Sequence, residues 1–302
     1  MFIYSNEQWH NITKEEYLSY KNRNPNDWWI EKDNDTNFEY EFVIQCIARN
    51  EELYFKEWVE HHLNLGVDFI YIYDNNDEDG LDVFLKHQLS DLYYKKIKII
   101  PYREKMKCQQ ISALYDCVNQ IKDKAKWMIS LDLDEFLIIE KPLNVFLKEF
   151  AYASEIYLSW ESLSADGQVK YENKPLLERF KKRFNCKDKG QGKIIFRPRR
   201  LKKWAIHSAT LTGGKIVNAI HKEISPPDSY NVILKNAWIK HFFTKSLEEW
   251  VNKIKRGCCD NYFCRRYDLF FEINPELINY YDKNAQMIQL HSHAPENEIP
   301  ML

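Results

Sequence analysis

The chain has 302 residues, 44 % of them hydrophobic, with 45 acidic against 43 basic side chains and a formal charge of −2. That length and apolar content suit one to two domains with a sizeable core, and the balanced charge gives no global pull toward nucleic acid. With only 8 glycines, no G-x-G-x-x-G and no phosphate loop ending in G-K-[ST], dinucleotide and phosphate-loop folds are excluded, and no apolar run approaches the ~18 residues of a membrane span.

Residues 1–40 are polar and Asn-rich, which predicts an N-terminal extension packed through Trp9, Trp28 and Trp29. The first residues, MFIYSNEQWHNITKEEY, lack the basic start and apolar stretch of a signal peptide, so a cytoplasmic protein is expected. A regular alternation follows. FVIQCIA (Phe42–Ala48) is a short apolar run and predicts a buried strand. In YFKEWVEHHLNL, Tyr54, Trp58, His62 and Leu65 recur at helical spacing. DFIYIY (Asp68–Tyr73) is β-branched and aromatic, a second strand, and DNNDEDG is a polar turn. LDVFLKHQL predicts a helix, KIKIIP a third strand, QQISALYDCVNQIKDK a longer helix and WMISLD a fourth strand. Beyond residue 150 the alternation weakens. EIYLSW (Glu155–Trp160), KIIFRP and KIVNAIH predict strands. SLEEWVNKIKRG predicts a helix with Ser246 as N-cap, Glu249 completing a capping box and Gly257 at its end. The seven cysteines form no even framework, and GCCDNYFC (Cys258, Cys259, Cys264) contains no C-x-x-C pair, so reduced structural thiols are expected.

Strand and helix alternating at these spacings predict an α/β fold with a central, mostly parallel sheet flanked by helices. The expected organisation is an extension over 1–40, one domain over 41–257 and a C-terminal extension over 258–302. Ligands of such sheets bind beyond the carboxyl ends of the strands. Three polar clusters stand there: RNEE, DNNDEDG and DLDE.

The third cluster holds Asp132, Asp134 and Glu135 at the mouth of an apolar strand. Unpaired buried charge is costly, so something must compensate it. If strand geometry persists to Asp134, Asp132 and Asp134 face one way and Glu135 points elsewhere. Two carboxylates held together repel, and a divalent cation resolves the conflict, with substrate phosphates completing its shell. A solvated turn is the plain alternative.

At this point the sequence resembles a known family. CIARNEELYFKEWVEHHLNLGVDFIYIYDNNDEDG looks like the opening of GT-A-type glycosyltransferases, in particular family 92 and the related family-2-like bacterial transferases. QQISALYDCVNQ, WMISLDLDEF, WESLSADGQ, LERF, HFFTKSLEEW and KIKRG follow in the family's order, over roughly residues 41–257. The resemblance implies the GT-A nucleotide-sugar-binding fold and a UDP-sugar donor, leaning toward UDP-galactose, held on Mn²⁺ or Mg²⁺. Arg49, Asn50 and Glu51 would line the nucleotide pocket, with Asp74 near the base or ribose. Gln109 or Gln110 would hydrogen-bond the donor. Asp132 would face ribose and sugar, sharing the metal with Asp134, the main ligand, and with His241. The acceptor implied is a glycan or lipid-linked sugar in surface polysaccharide or lipooligosaccharide synthesis.

Transfer leaves negative charge on the departing diphosphate, for which Lys245 is the nearest basic residue after His241, and in an inverting enzyme it needs a carboxylate to receive the acceptor proton. Asp166, Glu161 and Glu178 are the candidates, with Asp166 favoured because its glycine-flanked loop can approach an acceptor. Trp160 suits a sugar platform or the core. The basic stretch RPRRLKKW (Arg197–Trp204) leaves a solvated face, nucleic acid, or peripheral contact with the inner membrane open. Two rivals stand beside the transferase: a nucleotidyltransferase, disfavoured by the glycine-free ARNEELY, and a noncatalytic carbohydrate- or nucleotide-sugar-binding protein.

Overall fold

The computed structural model describes residues 2–5, 8–11, 33–34, 36–103, 109–184, 192–205, 208–224, 232–257 and 266–280. Trp28 and Trp29, expected to pack the extension, and the cluster Cys258, Cys259 and Cys264 lie outside them, and of Trp9 the backbone alone is described. By internal contacts the chain divides into two units: Met1–Glu161 with Lys187–His241, and Ser162–Cys186 with Phe242–Leu302.

The first unit opens with an antiparallel hairpin, β1 (Phe2–Ser5) and β2 (Gln8–Asn11). Then come β3 (Tyr40–Ala48), α1 (Glu52–Leu65), β4 (Phe69–Asp74), α2 (Leu81–Gln88), α3 (Asp91–Tyr94), β5 (Ile97–Pro101), α4 (Gln109–Ile121) and β6 (Ala125–Ser130). β7 (Glu135–Ile139), α5 (Leu143–Glu149), β8 (Ala153–Ser162), β9 (Gly192–Phe196), β10 (Leu201–Ala205), β11 (Ser208–Leu211), β12 (Lys215–Asn218) and β13 (Ala237–His241) follow. Among the described residues the main sheet runs β5-β4-β3-β6-β9-β8-β13-β7, with β12 added beside β8.

The α/β architecture is as expected. β5, β4, β3 and β6 are mutually parallel. Phe42 to Cys46 on β3 are all buried, as befits a parallel strand covered on both faces. The far half departs from the parallel expectation: β9 is antiparallel to both β6 and β8, and β7 is antiparallel to β13. Neither β7 nor β13 was marked by a long apolar run.

Helix α1 is ended by Gly66 at φ 106, a left-handed position that a side chain would strain. Its inner stripe anchors the strand beyond the acids. Trp58 Nε1 donates to the carbonyls of Asp132 (3.1 Å) and Glu135 (2.8 Å). His62 Nε2 accepts the Leu137 N–H at 3.1 Å, and His61 Nε2 donates to the Leu137 carbonyl at 2.9 Å. Accepting there requires neutral His62, and burial holds its pKa well below the usual value. On α4, Ala113, Leu114, Cys117, Val118 and Ile121 fall at helical spacing and pack with Val43, Tyr73, Met128 and Phe196 in one core.

The basic stretch is not a surface patch. Arg197 is buried over the Trp127 ring (4.2 Å) and donates to the Ala151 and Ala153 carbonyls. Arg200 forms a buried pair with Asp33. Lys202 and Lys203 alone are left exposed in that run.

Two close approaches give testable consequences. A Cβ added to Gly192 would sit 2.1 Å from the Leu158 carbonyl oxygen and 2.8 Å from the Tyr157 ring. Gly192→Ala is expected to cost about 2–3 kcal/mol by overpacking, read as a lower urea midpoint at unchanged slope. Glu155 is 2 % exposed, its Oε2 has no hydrogen-bond partner, and burial pushes its carboxyl up to about 8 from 4.5. Between those values the native state keeps a proton that the unfolded chain has released. Stability therefore falls as pH rises through that window, by about 1.4 kcal/mol per unit. Measured from pH 5.5 to 7, the wild type should lose about 2 kcal/mol to this group, and Glu155→Gln should remove that share of the slope while leaving the share of Glu135, whose buried carboxyl is also pushed up to about 8.

The second unit contains α6 (Leu176–Arg179), α7 (Leu247–Arg256) and α8 (Tyr267–Ile273). Leu247, Trp250, Phe270, Phe271 and Leu277 form its core with Ala165. The capping box expected at α7 is present: Ser246 accepts from the Glu249 N–H, and the Glu249 carboxylate accepts from Ser246 N at 3.0 Å.

Candidate active site

Strand β6 ends at Ser130, before the acids. Leu133 and Asp134 form a turn and Glu135 begins β7. This corrects the expectation that strand geometry persists to Asp134. The turn also brings Glu135 back toward Asp132 instead of away from it. The Asp132 N–H donates to Glu135 Oε2 at 2.9 Å.

The compensating charge is Lys193, on β9. Its Nζ lies 3.2 Å from Asp132 Oδ2 and 3.2 Å from Glu135 Oε2, and its side chain is 3 % exposed. Burial alone would discharge this ammonium, but the two carboxylates outweigh it and hold the pKa above the ordinary lysine value. Burial pushes the Glu135 carboxyl up to about 8 against the pull of Lys193. The one sequence signal of Lys193 is a lysine heading the apolar strand KIIF.

Gln110 Nε2 donates to Asp132 Oδ1 at 3.1 Å, so both Asp132 oxygens already accept from the protein. Of the two glutamines proposed at the donor, Gln110 makes this contact with the acidic turn, and Gln109 begins α4.

β7 pairs antiparallel with β13 so that Glu135 stands opposite His241. That register carries the imidazole to the acidic turn: His241 Nε2 is 3.8 Å from Asp134 Oδ1, and both side chains are less than a tenth exposed. The Trp160 ring lies 4.3 Å from the His241 ring. The Asp134–His241 spacing is too long for a hydrogen bond and short enough for one cation to touch both, at about 2.1 Å from each. These two side chains therefore fit a hard divalent ion. Among the described residues no group of three or more His, Cys, Asp or Glu is gathered closely enough to hold a metal ion by itself. Mg²⁺ and Mn²⁺ tolerate this, since water and phosphate oxygens complete their shells.

The loops after β3 and β4 are latched together. Asn50, at φ 51, donates its N–H to Asn76 Oδ1 (2.7 Å), and Asn76 in turn donates to Glu52 Oε1 and to Asp74 Oδ1. Glu51 and Asp74 are buried, and burial raises the Asp74 carboxyl above its usual pKa despite the Asn76 N–H. Arg49 is exposed and paired with Asp77 at 2.6 Å. A cavity of about 410 Å³ opens beside these loops, lined by Asn50, Glu52, Asn76, Asp77, Glu78 and Asp79 among others. Its wall is rich in hydrogen-bond acceptors. Glu161, on β8, accepts from Trp238 Nε1 at 2.9 Å.

The remaining candidates lie in the second unit. Asp166 is exposed at φ 50, and its Oδ2 accepts the Lys181 N–H at 3.2 Å. Lys245 is 3 % exposed at φ 55, directly before the α7 cap. Glu178 is exposed on α6.

Comparison with known proteins gives one family. The model of glycosyltransferase family 92 matches residues 39–260. A family 92 protein of Oryza sativa subsp. japonica is 23 % identical over 218 residues, 70 % of this chain and 31 % of that protein. A family 92 protein of Ricinus communis is 28 % identical over 106 residues, 35 % of this chain and 18 % of that protein. The chain thus spans less than a third of the length of the curated relatives it matches. Among solved structures, that of HddC from Yersinia pseudotuberculosis aligns with a TM-score of 0.35 at 11 % identity, covering 60 % of this chain and 91 % of that one. With a match reaching from the residue before β3 to just beyond α7, the chain belongs to glycosyltransferase family 92.

Proposed function

We propose that the chain is a metal-dependent glycosyltransferase. It moves galactose or a related hexose from a UDP-sugar to a glycan or lipid-linked acceptor, in surface polysaccharide or lipooligosaccharide synthesis. The observation that carries this reading is the Asp134–His241 pair, 3.8 Å apart beside a lysine-neutralised acidic turn. Asp134 and His241 would hold Mn²⁺ or Mg²⁺, which offsets charge on the diphosphate as it leaves.

The protein's own groups divide the rest of the work. Lys193 and Gln110 hold the Asp132 side chain oriented, so that it meets the ribose and sugar hydroxyls as an acceptor. Asn50, Glu51 and Asp74 supply polar atoms to the base and ribose beside the acceptor-lined cavity. Lys245 neutralises the leaving phosphate, and Asp166 receives the proton of the acceptor hydroxyl. Trp160, against His241, offers a flat face to a sugar ring.

No described helix is long and apolar enough to cross a membrane. The reading keeps a cytoplasmic enzyme. Any peripheral contact with the inner membrane would use a surface other than the buried Arg197 and Arg200.

The test is nucleotide release from a panel of UDP- and GDP-sugars with Mn²⁺, Mg²⁺ or EDTA. Metal-dependent release from one donor supports the reading and names the sugar. Tight metal-dependent donor binding with no turnover on any acceptor would favour a noncatalytic protein, and neither binding nor turnover would overturn both.

A further inference from the structure

Within the second unit, three motifs that lie apart in sequence close into one ring. Arg179 and Glu249 form a bidentate pair, Nη1 to Oε1 at 3.1 Å and Nη2 to Oε2 at 2.6 Å, with side chains 1 % and 4 % exposed. Glu249 Oε2 also accepts the Ser246 N–H and hydroxyl. Arg179 Nε donates to Gln168 Oε1 at 3.1 Å, and Gln168 Nε2 donates back to the Arg179 carbonyl at 2.8 Å. The Gln168 carbonyl accepts the Leu247 N–H at 3.2 Å, which returns the chain of contacts to the α7 cap.

The ring abuts two unusual residues. Asp166 precedes Gln168 by two positions and Lys245 immediately precedes Ser246, and both are non-glycine residues in the left-handed region, at φ 50 and 55. Such conformations persist only where the surroundings over-determine them, and they gather at functional sites. A buried ion pair is weak evidence of stability, since apolar groups of like volume often serve as well. What a planar, two-point guanidinium–carboxylate contact supplies is direction.

We propose that Arg179 and Glu249 are positioning residues that lock Lys245 and the Asp166 loop into their strained conformations for transfer. This rests on the reading of Asp166 and Lys245 as catalytic residues. The pair touches no substrate itself and acts through the two backbones that it clamps.

The double variant Arg179→Met with Glu249→Gln removes both charges together and leaves no unpaired ion, while Gln keeps the capping-box acceptor. A cooperatively folded protein with a Tm near that of the wild type is expected. Its kcat should fall about 100-fold while the donor KM moves less than about threefold, as for a misplaced catalytic group. Arg179→Lys, which keeps charge but not the fork, should fall nearly as far. A second readout needs no turnover: labelling of Lys245 by an amine-reactive reagent, followed by peptide mass spectrometry. The wild-type residue should be shielded, and the double variant should label about tenfold faster through local opening. Unchanged labelling, or a kcat within twofold of the wild type, would overturn the proposal. If the wild type turns over no donor, the transferase reading fails, and the labelling still decides whether the clamp exists.

Discussion

Asp134→Ala is expected to abolish metal-dependent nucleotide release, lowering kcat by about 1000-fold, the scale of losing a preorganised electrostatic contact to a developing charge. The side chain faces His241 Nε2 at 3.8 Å, whereas the oxygens of Asp132 accept from Gln110 and Lys193. The fold should survive. Asp134 adds like charge to the buried Glu135, so its removal relieves repulsion. The thermal midpoint should stay close to that of the wild type, which separates lost chemistry from lost structure. His241→Ala should lose less and recover partly at higher metal concentration, since the carboxylate oxygen that a hard cation prefers would remain. Release by Asp134→Ala within tenfold of the wild type would sink the assignment of Asp134 as the metal-holding carboxylate.

Lys193→Met is expected to be the most destabilising change in the acidic turn, by about 3–5 kcal/mol, the usual scale for stripping the partner from a buried ion. One ammonium answers two carboxylates here, and Glu135 is fully buried. Total stabilities of about 5–15 kcal/mol leave little after such a loss, so poor expression of this variant would be in keeping. Adding Glu135→Gln should restore part of the deficit, because the buried side chain beside Asp132 then has no charge to gain. Urea denaturation of wild type, single and double variants measures both steps. A cost for Lys193→Met below about 1 kcal/mol would show that the turn does not depend on this cation.

The contrast between what the sequence revealed and what it hid follows the distance over which each feature is encoded. β3, α1, β4, α2, β5, α4 and β6 each carry their own apolar period, so they were legible one after another, and so was the Ser246–Glu249 cap three residues apart. Lys193 was not, because it meets Asp132 across 61 positions of sequence. Arg200 was read as a possible surface charge, although its partner Asp33 is 167 positions away. The early stop of β6 was hidden for a related reason. LDLDEF continues an apolar strand in pattern, and only the Trp58 indole, reaching the carbonyls of Asp132 and Glu135, reveals a turn. His241 could be named from its motif, while the β7–β13 register that delivers it beside Asp134 leaves no local trace.

The two histidines on α1 have a consequence for solubility. Among the described residues β7 is the last strand on its side of the sheet, and the outermost strand is where a second polypeptide can add itself and start an aggregate. His61 and His62 occupy both backbone groups of Leu137 there, so an incoming strand finds no open rung at that residue. At the opposite margin β5 exposes Lys98 and ends in Pro101, which cannot donate to a new neighbour. Both margins of the sheet are thus guarded against concentration-driven self-association.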